Sequence, residues 1–257
     1  MIPRRYIPIL LGTFSILGVL LIWHLAGIAN LLTNASSVPP LSSVLQAARS
    51  WFAEGFIQHD LVATLLRVVP GILIGSTVGA LVGLATGRAK LLYSLLGPHL
   101  HIWRALPAVA VVPLFLLILG VNETTRIFIV SLGVFFPVWV NTHEGASQVD
   151  VKFLEVARDM EFAPAEVYRR VIFPATLPFI IAGIRAGIGL AYIMVFIAEW
   201  IGANKGIGYR LSVAHTVLRT DHMVFGLIVL GCLAYATDLL YRVSVKALFP
   251  WTEKNRG

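Results

Sequence analysis

The apolar positions of this chain gather in long unbroken runs, unlike the short alternating stretches of half-buried strands. Residues 7–25 carry no Asp, Glu, Lys or Arg, and neither do residues 68–87, 105–122 and 127–143. At about 1.5 Å of rise per residue, helices of this length match the roughly 30 Å hydrocarbon thickness of a bilayer, so each run predicts a membrane span. Two further runs are interrupted by charge: residues 177–201 hold Arg185 and Glu199, and residues 223–243 hold Asp238 and Arg242. Together they predict an all-α, polytopic membrane protein of about six transmembrane helices, with residues 1–257 forming one domain. Residues 91–103 are uncharged but too few to cross, which places them at the membrane interface. Outside the spans, Leu41, Val44, Leu45, Ala48 and Phe52 recur at helical spacing, as in a short amphipathic helix lying on the outer face.

Composition excludes a soluble globule. Of 257 residues, 58% are hydrophobic and 13% charged, with a mean hydropathy of +0.83, against about 45–50% and about 25% in soluble domains. Net charge is +7, from 20 Lys and Arg against 13 Asp and Glu. In a soluble protein this would suggest a nucleic-acid partner, but the placement of the charge argues against one. With the first span starting inside, residues 1–6, 88–104, 144–178 and the C-terminal tail are cytoplasmic, and fourteen of the 20 basic residues lie on that side. This satisfies the positive-inside rule and predicts that both termini are cytoplasmic. Arg4 and Arg5 before residues 7–25, with Gly27, Ile28 and Ala29 after them, also fit a secretory signal. The apolar region of such a signal is usually about 7–15 residues, so the longer run favours a retained anchor. Cys232 is the single cysteine, which leaves no intrachain disulfide or thiolate cluster.

Gly71, Gly75, Gly79, Gly83 and Gly87 occupy every fourth position of the second span, a ridge without side chains that predicts close helix packing, with a glycine-lined water path as the alternative. Gly183 and Gly187 repeat the spacing in the fifth span. Arg185 and Asp238 fall at similar depths from the cytoplasmic ends of spans five and six, so they are expected to form an intramembrane charge pair; the alternative is that Arg185 attracts an anionic solute. Glu199 would repel anions from a pathway, and a structural place is expected for it.

Catalytic patterns are scarce. No glycine loop is followed by Gly-Lys-Ser/Thr, no His-Glu-x-x-His occurs, and no serine sits in Gly-x-Ser-x-Gly. His99 and His101 point about 200° apart on a helix. No catalytic residue and no metal ligand is assigned, and substrate-binding residues stay open. The informative segment is 150–178, where Val151, Leu154, Val156 and Ala157 interleave with Lys152, Glu155, Arg158, Asp159 and Glu161. Pro164 then opens a second short helix carrying Val167, Tyr168, Val171 and Ile172, which Pro174 and Pro178 are expected to end. A connection of about 35 residues is long for a structureless loop, which favours a protein-docking element over a solvated link.

Glu155-Val156-Ala157, followed by Ile172-Phe173-Pro174 and Leu177-Pro178, resembles the EAA loop of ABC importer permeases. Arg104-Ala105-Leu106-Pro107, Val112-Pro113-Leu114, Phe136-Pro137-Val138, Ala198-Glu199 and Gly206-Ile207-Gly208-Tyr209 extend the likeness to the nitrate, sulfonate, taurine and bicarbonate branch, and aliphatic sulfonate permeases look most similar. The resemblance implies a type I importer permease fold in the bacterial cytoplasmic (inner) membrane, with a pathway for a small anion such as an alkyl sulfonate, nitrate, taurine or bicarbonate. Its implied partners are a second copy of the chain, two ATPase subunits, a periplasmic or extracellular solute-binding protein and the lipid bilayer. It also implies that Glu155, Val156, Ala157, Arg158, Asp159, Met160, Glu161, Phe162, Ala163 and Pro164 couple to the ATPases. The chain itself would be no enzyme and would hold no cofactor, ATP and Mg residing on the partner. Two residues depart from the family pattern: Val156 stands where the family has alanine, and Glu161 where it has the glycine that ends the first short helix. A left-handed residue with a Cβ costs roughly 1 kcal/mol or more. The competing reading is a stand-alone channel or intramembrane enzyme, which would not need such a loop.

Overall fold

In the computed structural model, which describes residues 7–28 and 38–252, the regular elements are all helical. They are α1 (Ile7–Ile28), α2 (Leu41–Ala53), α3 (Phe56–Arg88), α4 (Lys90–Ala105), α5 (Ala108–Leu119), α6 (Glu123–Ser147), α7 (Val151–Asp159), α8 (Pro164–Val167), α9 (Phe173–Gly202), α10 (Ile207–Thr216) and α11 (Thr220–Leu248). Arg4, Arg5, Ala29, Lys254, Arg256 and the turn-rich residues 30–37 lie outside the described residues.

Among the described residues, four stretches are each long and apolar enough to cross a membrane: Phe56–Arg88, Glu123–Ser147, Pro164–Gly202 and Thr220–Leu248. The uninterrupted third span expected over residues 105–122 is not formed. α4 and α5 meet that length only together, as a pair bent by 106°. The break follows from Pro107, which has no N–H to donate and forces the preceding Leu106 out of the helical region, to ψ 135°. The apolar segment expected at the interface lies in α4, one arm of this pair, which is bent as in a broken span or a re-entrant loop. α1 is 22 residues long, and its segment Leu17–Gly27 is an apolar helix.

The glycine ridge of α3 sets the packing of the bundle. Cβ atoms added at Gly71, Gly75, Gly79, Gly83 and Gly87 would come within 2.7, 2.9, 3.0, 2.5 and 2.6 Å of the Cβ atoms of Val130, Val134, Val138, Thr142 and Ala146. Every fourth residue of α3 therefore meets every fourth residue of α6, with the two helices running in the same direction. The opposite side of α6 receives the glycines of α9. A Cβ at Gly183 would lie 2.9 Å from the backbone of Val138, and one at Gly187 the same distance from the Val134 side chain. Val134 and Val138 are fully buried between the two ridges, in a core that also holds Val130, Ile188, Ala191 and Val195. Direct helix contact of this kind relies on dispersion and close approach, because lipid offers apolar side chains no solvent to escape.

α2 forms where the amphipathic spacing places it, but its buried face is Val44, Ala47 and Trp51, while Leu45 and Phe52 point outward. The buried Trp51 donates its indole N–H to His222 Nδ1 at 2.7 Å, which ties α2 to the start of α11. α11 itself is covered by little of the chain.

Substituting Gly83 with Leu should lower thermal stability in detergent by about 1–3 kcal/mol or more, since neither Thr142 nor the α6 backbone can retreat. Gly231→Ala, at an α11 position with nothing within 4 Å, should leave the melting temperature unchanged or raise it slightly.

Candidate functional site

The segment between α6 and α9 folds as an elbow. Asp150 caps α7, its carboxylate accepting the Lys152 N–H at 2.9 Å. At the other end, the Phe162 N–H reaches the Ala157 carbonyl at 3.0 Å and the Glu161 N–H reaches that of Arg158 at 2.8 Å. This is the double bond of a Schellman ending. It holds Glu161 at φ 52°, so the corner keeps its left-handed residue without glycine. Pro164 occupies the first turn of α8, and the Glu166 carboxylate accepts the Ala163 N–H at 3.3 Å.

Beyond α8 the expectation of a helix stop fails. A π-helical turn, Tyr168–Ile172, leads directly into α9, and Pro164–Gly202 runs as one 39-residue stretch. Pro174 falls at the start of α9, where its missing N–H is least disruptive, and the wider π turn absorbs the change in hydrogen-bond register. The second arm of the elbow is therefore the end of the fifth span itself.

A groove of about 320 Å³ opens on the elbow between Phe153, Val156, Ala157, Met160, Phe162, Arg170, Val171 and Ala175. Phe153, Val156 and Met160 are more than half exposed there, and the Arg170 guanidinium lies 5.1 Å from the Phe162 ring centroid. Of the expected coupling residues, Val156, Ala157, Met160 and Phe162 come together in this groove. Glu155, Arg158, Asp159, Glu161, Ala163 and Pro164 lie exposed outside its lining.

At the opposite end of α9 lies a buried charge lattice that sequence reasoning largely missed. Arg67 makes a two-pronged contact with Glu123, at 2.6 and 2.8 Å, and donates to Glu199 at 2.7 Å and to the Lys205 carbonyl at 2.9 Å. Glu199 also accepts from Thr64 at 2.9 Å and from the Gly208 N–H at 2.8 Å. Asp60 accepts the Gly206 N–H at 2.7 Å and pairs with Arg210 at 2.5 Å. Arg126 pairs with Glu123 at 2.9 Å and donates to the Gly202 carbonyl. Three cations thus meet three carboxylates, and the lattice as a whole is neutral. It staples the 203–206 connection and α10 to α3, α6 and α9. Glu199 is accordingly buried and fully engaged. In the sequence, Asp60 and Arg67 are one charge pair in a run of apolar residues, and nothing local marks Glu123 as their partner.

The remaining feature is a stripe of α9 that the chain leaves uncovered: Arg185, Ala186, Gly189, Leu190 and Ile193. A cavity flanks it on each side. One, of about 370 Å³, lies toward α4, α5 and α6; the other, of about 660 Å³, lies toward α11. In the second, Arg185 Nε donates to Asp238 at 3.1 Å and Arg242 approaches the other carboxylate oxygen at 2.9 Å. Two guanidinium groups share one carboxylate, which leaves a local charge of +1. Arg185 is 53% exposed, so its bond to Asp238 is largely open to its surroundings.

Helices that cross a bilayer, a hydrophobic elbow projecting from one end and an uncovered stripe flanked by cavities define a membrane-embedded transport subunit. The chain belongs to the family of binding-protein-dependent transport system inner membrane components, whose pattern matches residues 71–254. It is the transmembrane subunit of an ABC transporter, a transport component and not an enzyme. It is 31% identical over 239 residues, 93% of this chain and 86% of the other, to SsuC of Bacillus subtilis (strain 168), named as an aliphatic sulfonates transport permease. It is 28% identical over 252 residues to the taurine transport system permease TauC of Escherichia coli (strain K12), covering 96% and 90% of the two chains. A chain of the inward-facing MetNI methionine ABC transporter superposes with a TM-score of 0.60 at 19% identity, over 78% of this chain and 97% of that one, and so shares the fold.

The two charge clusters should respond differently to neutralisation. Arg67→Met strands the buried Glu199 carboxylate without its cation and should cost about 3–5 kcal/mol of stability. Asp238→Asn, beside a half-exposed arginine, should cost about 1 kcal/mol or less. Thermal unfolding of the two variants in the same detergent gives the comparison, and equal losses would contradict the burial argument. Glu161→Gly should raise stability by roughly 1 kcal/mol by relieving the left-handed backbone.

Proposed function

We propose that this chain forms, with a second copy of itself, the translocation pathway of an importer for small organic sulfonates, driven by two ATPase subunits docked on the elbow. The observation that carries this reading is the exposed apolar groove of Val156, Met160 and Phe162 on an elbow continuous with α9. An apolar groove facing the cytosol calls for a protein partner, and closure of that partner on ATP would displace α9 along its whole length. Coupling is then a population shift between two arrangements of the pathway, imposed from outside the chain. ATP and Mg belong to the ATPase, and no cofactor is assigned to this chain.

The elbow end is cytoplasmic in this reading, as the distribution of basic residues supports, and both termini share that side. The lattice end and α10 then face the periplasm or exterior, where a solute-binding protein delivers cargo. The sulfonate class is supported by the names of the two relatives, since an aliphatic sulfonate and taurine share that group. The uncovered α9 stripe and the sparsely covered α11 support a second copy, which would close the pathway around Arg185.

Co-expression with the ATPase encoded beside it should yield a complex that co-purifies, and Met160→Asp or Val156→Asp should abolish that association while leaving helical content intact by circular dichroism. A wild-type chain that purifies alone and conducts solute without ATP would overturn the importer reading. In proteoliposomes holding the complete transporter and its binding protein, ATP-dependent uptake of butanesulfonate or taurine is expected. Uptake of nitrate or bicarbonate alone would replace the sulfonate assignment.

A further inference from the structure

We infer that Arg104 is the anion-binding residue of a solute site inside the bundle, in the cavity between the α4–α5 corner, α6 and α9. This deepens the proposed import of sulfonates and rests on it. The cavity of about 370 Å³ is lined by Trp103, Arg104, Phe136, Asn141, Leu190 and Met194, among others. Its α6 wall runs from Leu132, nine residues from the Glu123 end, to Asn141, six residues from Ser147. At about 1.5 Å per residue these lie roughly 14 Å and roughly 9 Å from the two ends of the helix, so the cavity is set within the membrane-spanning part of α6, and Arg104, which the charge count placed on the cytoplasmic side, lines it.

Charged side chains of the membrane-spanning helices otherwise have partners within the chain. Away from helix ends, the charged side chains of α3, α6, α9 and α11 have counter-ions: Asp60 with Arg210, Arg67 with Glu123 and Glu199, and Arg185 and Arg242 with Asp238. Arg104, exposed in the last turn of α4, has no such partner. Among the described residues no carboxylate lies within 4 Å of it, and none lines the cavity. An exposed guanidinium without a counter-ion, set among apolar walls, is a ready partner for an arriving anion. The other polar side chain of the cavity, Asn141, already donates its amide to the Pro137 carbonyl at 2.8 Å, so Arg104 is the available donor.

The lining also specifies the rest of the ligand. A guanidinium presents paired N–H groups that match two oxygens of a sulfonate. The remaining walls are apolar and suit a short hydrocarbon tail. With no carboxylate to receive an ammonium group, the site favours an alkyl sulfonate over taurine, whichever of the two the binding protein delivers.

The test uses the complete complex in detergent and in proteoliposomes. Trp103 lies on the same cavity, so its fluorescence, taken as the difference from Trp103→Phe, reads the site directly. Iodide should quench this component, butanesulfonate should protect it at lower concentration than taurine, and Arg104→Gln should weaken iodide quenching severalfold while quenching by neutral acrylamide stays unchanged. Uptake of butanesulfonate by Arg104→Gln should fall about tenfold, as for loss of a charge-assisted hydrogen bond, with Arg104→Lys recovering only part of it because an ammonium lacks the paired N–H groups. Retained co-purification of the ATPase establishes that the variant is assembled. Equal iodide quenching in Arg104→Gln and wild type, or equal uptake, overturns the assignment of Arg104. A wild-type complex that moves none of butanesulfonate, taurine, nitrate or bicarbonate overturns instead the functional reading beneath it.

Discussion

The rest of the structure depends on the contact of α6 with a glycine ridge on each side. Val134 and Val138 touch Gly75 and Gly79 of α3 on one side and Gly187 and Gly183 of α9 on the other. Each contact is small, but together they remove every gap between three helices that lipid would otherwise separate. The price is geometric: a three-helix stack joined at backbone distance cannot shear internally. The stack therefore moves as one body, and internal rearrangement is left to the bent α4–α5 pair, the elbow and the sparsely covered α11.

This rigidity gives the elbow its leverage. Because α8, the π turn and α9 are continuous, a load on the apolar groove is delivered to a helix already locked against α6. At the far end the same helix terminates in the Arg67–Glu199 lattice, which grips the 203–206 connection and α10. In the proposed cycle, force applied at one face of the membrane thus arrives at the other through one helix, with the neutral lattice keeping its end intact. The two prolines that would ordinarily break such a rod, Pro174 and Pro178, are tolerated because one sits in the first turn of α9 and the other follows soon after the π turn.

The parts of this design differ in how far they can be read from sequence, and the reason is range. The glycine ridge is a periodic signal within one helix, and its packing role follows from spacing alone. The long apolar runs likewise locate α3, α6, α9 and α11. The Arg185 and Asp238 contact is legible because both residues interrupt apolar runs at matching depth. Local proline rules mislead in both directions: Pro107 breaks a span that hydropathy alone would leave whole, whereas Pro174 and Pro178 fail to break one that they seemed to end. The left-handed corner is expected from the position of Glu161, yet only the paired carbonyl contacts of Ala157 and Arg158 explain how a residue with a Cβ holds it. The lattice stays hidden because Asp60, Arg67, Glu123, Arg126, Glu199 and Arg210 are spread over 150 residues of chain, and no local pattern links an arginine on α3 to carboxylates at the start of α6 and the end of α9.

The distribution of charge follows the same division between what is fixed and what is free. Where carboxylates match arginines, in the lattice, most of the charges are buried and serve cohesion, since an unmatched Arg67 or Glu199 would be costly in so dry a place. Where arginines exceed carboxylates, at Arg104 and in the Arg185–Asp238–Arg242 group, the side chains lie beside cavities on either side of the uncovered α9 stripe. A field of one sign confined between low-dielectric walls attracts counter-ions without holding them in a closed cage. In the proposed pathway, excess positive charge along that stripe suits the passage of anions, because a full complement of carboxylates there would turn the same residues into another staple.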